Sequence, residues 1–348
     1  MDAQLWHDYC VSAPPTEPER LTIRQWTNMS DLQRCNHIDQ LEAWFQQAFV
    51  RTDELAAITR ALTDTVRKNA SRPPGAKAVL ALTGPNCIGK STLMTRWARS
   101  MYLEWIQGAD RDDRGRPVIR PADGYEDDLC PVIWIDAPAR TDIPKLDAKI
   151  LMYLGLPGDG RTRELSPKAM SAARRHGGRV VIVDDTHLLY LDWKGGRAVL
   201  DHVKNVNTEL GQIGATLTLT GANLEDGELV NDPQIAARLK LLRMPEYGID
   251  GIEQQRVWQS IVHQLEVLAL PHLPRGKSGM LFTELAGELW LRTQGFLGDL
   301  TQLVVDATLM AIKDESFRIR FKHLDCVTLS DRAEKEYLVR TGREHRAH

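Results

Sequence analysis

Two rhythms of apolar and polar residues run along the chain. Short apolar runs bounded by turn residues fall at 79–83, 131–135, 180–184, 215–220 and 240–244, and each reads as a strand. Around them apolar residues recur at helical spacing. Leu41, Trp44, Phe45 and Phe49 follow a cap at Ser30-Asp31, and Leu55, Ile58, Leu62 and Val66 mark a second helix over 52–68 that Arg72-Pro73-Pro74-Gly75 ends. Leu93, Met94, Trp97, Ala98, Met101 and Tyr102 stripe the helix after the first strand, and Leu146, Ile150, Leu151 and Leu154 the one after the second. A further helix spans 198–210. Beyond Gly251 the pattern is helical throughout, with Val257, Ile261, Leu265 and Leu268, then Leu281, Leu285, Leu289 and Leu291, then Leu300, Leu303, Val304, Ala307, Met310 and Ala311. Two stretches lack a period: residues 1–30, with Pro14, Pro15 and Pro18, predict an extended arm, and 108–128, rich in charge, predicts a solvated excursion. The pattern divides the chain into an N-terminal arm and helical extension (1–75), an α/β core (76–250), a helical lid (251–315) and a C-terminal tail (316–348).

Composition narrows the class without changing this division. The 348 residues are 43% apolar and 26% charged with a net charge of −3, which is ordinary for a globular domain. No apolar run reaches the length of a membrane span and the first residues lack a secretion signal, so no membrane contact and a cytoplasmic location are expected. The cysteines 10, 35, 87, 130 and 326 are odd in number and lack C-x-x-C spacing, which argues against a disulfide framework or a zinc site. With charge nearly balanced, any nucleic-acid surface has to be a local basic patch.

The candidate chemistry begins after the first strand. Gly84-Pro85-Asn86-Cys87-Ile88-Gly89-Lys90-Ser91-Thr92 satisfies G-x-x-x-x-G-K-[ST] between an apolar strand and a helical run, the context that the phosphate-loop motif requires. Glycines let backbone N–H groups close on phosphate oxygens, and the helix beginning at Ser91 points its positive end at the anion. Lys90 supplies a point charge for the β- and γ-oxygens, and the Ser91 hydroxyl suits a Mg²⁺ ligand. The residues from Gly84 to Thr92 therefore form the candidate ATP cradle, with Cys87 a small residue at a variable position.

Arg179-Val-Val-Ile-Val-Asp-Asp185 is the second landmark, an apolar strand ending in two acids. Asp184 is assigned to the Mg²⁺ shell and Asp185 to the attacking water. Thr220 and Asn223, at the tip of the next strand, are both placed to sense a γ-phosphate, and sequence does not separate them. His187 reads as a polar residue facing the nucleotide or the next helix. Arg238, just before the last strand, suits either a surface ion pair or a γ-phosphate held by a neighbouring subunit.

Five strands alternating with helices and followed by a helical lid describe a three-layer P-loop α/β domain with a parallel five-stranded sheet. Within the AAA+ class the chain resembles the TniB/TnsC transposition regulators. The resemblance rests on Asp136-Ala137-Pro138, Leu154-Gly155-Leu156-Pro157, Asp184-Asp185-Thr186-His187-Leu188-Leu189, His202-Val-Lys-Asn-Val-Asn-Thr-Glu-Leu210, Gln234-Ile-Ala-Ala-Arg238 and Gly295-Phe-Leu-Gly-Asp-Leu300, and covers roughly residues 76 to 315. It implies an ATP hydrolase that assembles with ATP as a homo-oligomeric ring or helical filament on double-stranded DNA, selects target DNA and recruits or activates a DDE transposase. Lys90, Ser91, Asp184 and Asp185 then serve ATP and Mg²⁺, and Arg238 is a finger acting in trans. Asp185 stands where such enzymes usually carry glutamate, which implies slow turnover. The 295–300 segment lacks the lid arginine common in the class, and Arg292 is the nearest substitute. Lys194, Arg197 and Lys204 are the candidate DNA contacts. The competing readings are a STAND-like signalling or defence switch and a helicase loader, while a small-molecule phosphotransferase has no evident use for such a lid and arginine.

Overall fold

The structure, a computed structural model, describes residues 2–122, 125–137, 143–186 and 196–342. Its centre is a parallel sheet of β1 (Val79–Thr83), β5 (Val132–Asp136), β6 (Val180–Asp184), β7 (Thr216–Gly221) and β8 (Leu239–Arg243), with β2 to β4 lying between the first two in sequence. The spatial order is β5-β6-β7-β1-β8, so the chain leaves β1 for the far edge, returns strand by strand, and closes with β8 on the other side of β1. β1, β6 and β7 carry near-continuous apolar or threonine residues because both faces of a parallel sheet are covered. Each of the five lies within one residue of its expected range.

The helix stripes also hold, with instructive exceptions. All six stripe residues of the Lys90–Trp105 helix are buried. Ser30 caps the Asp31–Phe45 helix by accepting from the Gln33 N–H, and Gln33 answers in a capping box. In the Ile252–Ala269 helix the buried face is turned by one residue: Trp258 is buried and Val257 is 39% exposed, since the larger ring takes the core position. The expected Leu281–Leu291 helix is a π-helical turn, Met280–Leu285, followed by Ala286–Thr293. The buried Glu266 carboxylate accepts the Gly279 N–H at 2.8 Å and the Leu281 N–H at 2.6 Å, fixing that wider turn.

Two expectations are corrected. The arm is not extended throughout: Ala3–Val11 and Ile23–Thr27 are helices, capped by Asp2 and Thr22. Nine residues were too few to show a period, and burial of Trp6 against the rings of Tyr102 and Trp134 supplies what propensity does not. The 108–128 excursion contains an antiparallel sheet of β2 (Asp110–Arg111), β3 (Pro117–Ala122) and β4 (Tyr125–Asp128), its exposed strands laced by Arg120–Asp110 and Arg120–Glu126 pairs. The chain forms two units. One consists of residues 1–12, 54–86 and 90–244, the other of 13–53, 87–89 and 245–348. The Phe321–Cys326 and Asp331–Thr341 helices belong to the second.

Within the first unit Asn69 ties the Asp53–Ser71 helix to the sheet, donating to the Ala78 carbonyl and the Thr216 hydroxyl while accepting from the Ala78 N–H. In the second unit His272 is sandwiched against Trp44 and Phe45 with its side chain 1% exposed. Burial pushes its pKa down to about 4, against the opposing pull of Glu17 at 3.5 Å. The folded state therefore binds this proton less well than the unfolded chain, so stability is full above pH 6.5 and falls as pH drops from there to about 4. The loss reaches at most about 3 kcal/mol. Urea denaturation at pH 7.5 and 4.5 should show it, and His272→Phe, which suits the aromatic surroundings, should remove that share of the pH dependence.

Candidate nucleotide-binding site

The phosphate loop joins β1 to the Lys90–Trp105 helix. Gly84 and Gly89 have φ of +150° and +103°, values that a side chain would strain, and Cys87 takes a left-handed +63°. The Ile88 side chain is fully buried, so its part in a phosphate cradle is limited to its backbone N–H. The Lys90 ammonium folds back into the loop and donates to the Gly84 and Pro85 carbonyl oxygens at 2.8 Å each. Ser91 and Thr92 stand exposed on the first helical turn. In the second unit the start of the Leu297–Lys313 helix passes so close to the loop tip that a Cβ on Gly298 would lie 2.2 Å from the Cys87 carbonyl oxygen. Gly295 is equally confined, its Cβ falling 2.0 Å from the Tyr247 carbonyl oxygen. That glycine-bearing segment contributes by its lack of bulk.

The acids lie where β6 and β7 end side by side. Val183 is in register with Leu219, which brings the Thr220 hydroxyl onto Asp184 Oδ1, to which it donates. The Asp185 N–H donates to the same oxygen at 2.9 Å. Among the described residues both of these bonds fall on Oδ1, so Oδ2 is the oxygen suited to a hydrated cation, and the donor set fits the Mg²⁺ of a nucleotide. Asp185 is exposed and left-handed at φ +53°, an unusual conformation for a residue with a side chain. Thr220 and Asn223, equal candidates in sequence, are separated: Thr220 is fully buried against Asp184, whereas Asn223 is exposed, left-handed, and begins the Leu224–Asp226 turn.

That turn carries a residue that sequence reasoning missed. The Thr83 hydroxyl, last in β1, accepts the Leu224 N–H at 2.8 Å and donates to the Glu225 carboxylate, which stands 3.9 Å from the Arg243 guanidinium. No motif marks Glu225; only the register that aligns Thr83 with Arg243 brings the group to the base of the loop.

The arginines and lysines divide sharply. Arg238 is exposed, and its carbonyl accepts the Val79 N–H at 2.9 Å, which places it at the amino end of β1 while the phosphate loop leaves the carboxyl end. The intervening strand separates the two by about 13 Å. Arg292 is 4% exposed and donates to the Val327 carbonyl and Glu334 within the second unit, with Tyr337 against its face, so it is a core ion pair and not a nucleotide sensor. Lys204 is only 14% exposed and is held by Asp201 and Asp232 at 3.0 and 2.8 Å, which removes it from the candidate DNA contacts. His187 and Lys194 lie outside the described residues, and of Arg197 only the helical backbone is described.

A parallel sheet of this order, with a phosphate loop after β1 and paired acids at the end of the strand two away, defines a three-layer P-loop domain of the AAA+ class. The chain belongs to the TniB family: the family described as Bacterial TniB protein matches residues 40–249. Among curated proteins none matches. Solved structures share the fold at low identity. The Aeropyrum pernix ORC1 protein in complex with DNA is 18% identical over 84% of this chain and 67% of its own, with a TM-score of 0.51. Cdc6p from Pyrobaculum aerophilum is 14% identical over 79% and 67%, at 0.51. Drosophila ORC bound to DNA is 12% identical over 98% and 74%, at 0.52.

Replacing Lys90 by alanine should weaken nucleotide binding by at least about tenfold, the worth of one charge-assisted contact of about 1.5–3 kcal/mol. Thr220→Val, which keeps the shape and removes the hydroxyl, should raise the Mg²⁺ concentration needed for half-maximal binding. Titration with a fluorescent nucleotide at varied Mg²⁺ checks both.

Proposed function

We propose that this protein is an ATP-switched, DNA-binding homo-oligomer that selects target DNA and recruits or activates a DDE transposase. One observation carries the oligomeric half of this reading. Arg238 is exposed at the end of the sheet opposite its own phosphate loop, a position that suits a nucleotide held by another copy better than its own. The transposition half rests on membership of the TniB family.

In this reading the Gly84–Thr92 loop holds ATP, Lys90 neutralises the β- and γ-oxygens, and Ser91 and Asp184 hold Mg²⁺. Held by these residues, Mg²⁺ would supply positive charge to offset that developing on the phosphates. Thr220 fixes the rotamer of Asp184 and senses the γ-phosphate through it. Asn223 is the alternative sensor, and Asp185 orients the attacking water, its short side chain making hydrolysis slow. Arg238 of the next subunit adds positive charge to the γ-phosphate, so ATP stabilises the assembly and hydrolysis loosens it. Lys194 and Arg197 stay the candidates for contact with DNA, and the site of action is the cytoplasm.

Negative-stain microscopy on double-stranded DNA with ATP, ADP and no nucleotide tests the switch: ordered rings or filaments should form with ATP alone, and equal assembly in all three would overturn it. Asp185→Asn should retain binding and lose most turnover, so undiminished hydrolysis in that variant would remove Asp185 from its role. Co-purification with a DDE transposase supports the partner assignment, whereas co-purification with a replicative helicase replaces it with loading.

A further inference from the structure

Arg238 can act on a neighbour only if the short connection that carries it is rigid. Pro233–Ala236 is a four-residue helix, too short to hold itself. Its fixed points are few. Asp232 caps it, accepting the Gln234 and Ile235 N–H groups at 3.0 and 3.1 Å, and Ile235 is buried. Asp232 is itself held by Lys204, whose ammonium reaches it at 2.8 Å from the Gly196–Gln212 helix, with the Asp232 side chain 3% exposed. Lys204 is also braced by Asp201 at 3.0 Å. The ammonium holds the Asp232 carboxyl below the usual carboxylate range, so the pair stays charged near neutral pH. The ion pair joins two elements that no continuous backbone hydrogen bonding connects: the helix that follows the acids of β6, and the connection that ends in Arg238.

We propose that Lys204 and Asp232 are positioning residues for Arg238, a strut that fixes the arginine for use on the neighbouring subunit's nucleotide. The proposal rests on the reading of Arg238 as a trans finger and deepens it. A buried pair of this kind adds little net stability, but removing one partner strands the other charge, and the cap with it shifts. A displacement on the order of 1 Å of a group acting on a transition state lowers its effect by roughly 10²-fold. Lys204 therefore acts for the neighbour and not for the subunit that contains it.

That asymmetry is the test. Full-length subunits are mixed on double-stranded DNA: a donor carrying Lys90→Ala, which supplies only a finger, and an acceptor carrying Arg238→Ala, which supplies only a nucleotide site. ATP hydrolysis by the mixture then reports donor Arg238 acting on acceptor nucleotide. Adding Lys204→Ala to the donor should lower the mixture's rate by about ten- to a hundredfold, whereas adding it to the acceptor should leave the rate within about twofold. In the donor, Lys204→Asp combined with Asp232→Lys should recover much of what either reversal alone loses, which guards against a variant that merely misfolds. Equal losses from donor and acceptor, or no loss from the donor, would overturn the strut. If instead a donor carrying Arg238→Ala supports the rate as well as one with Arg238, the trans-finger reading itself fails and the strut falls with it, a result distinct from the first two.

Discussion

A parallel sheet sends the carboxyl ends of all its strands to one edge, and that geometric constraint governs this protein. The phosphate loop after β1, the acids after β6 and the threonine near the end of β7 converge because those strands are adjacent and in register, not because their residues are near in sequence. Adjacency also gives Asp184 its partner: Thr220 stands on the neighbouring strand, one step beyond the last paired residues. The same constraint sends whatever precedes a strand to the other edge. Arg238, immediately before β8, thereby lies at the opposite end of β1 from the phosphate loop. One end of the sheet holds the candidate site, and the other holds the exposed arginine.

Much of this was legible in the residues. The strands were readable because burial on both faces leaves four or five apolar residues in a row, and Gly84, Lys90 and Asp184 because their chemistry tolerates little substitution of type. What escaped were features set by tertiary contacts. Val257 and Trp258 are adjacent, and only packing decides that the indole goes inward. Ala3–Val11 becomes a helix because Trp6 finds an aromatic bed a hundred residues away in sequence. Glu225 meets Thr83 across 142 positions. Lys204 looked like a surface cation on a helix until its carboxylate partner appeared in a connection 28 positions on.

The charged residues of the structure separate into those that face outward to act and those spent on holding something in place. Arg292 and Glu266 are buried and Lys204 is mostly so, and each is paired with groups that hold a turn, a cap or a helix end. Asp185 and Arg238 are exposed, and one of them sits in a strained backbone conformation. Buried charge is costly unless paired, so the first group marks where the fold is committed to one geometry. The second marks where charge is left at the surface.

The position of Lys90 bears on how the loop keeps its shape. Its ammonium donates to the Gly84 and Pro85 carbonyl oxygens, so the side chain that the phosphate-loop motif requires also braces the turn that carries it. Charge and shape at this turn come in part from a single residue.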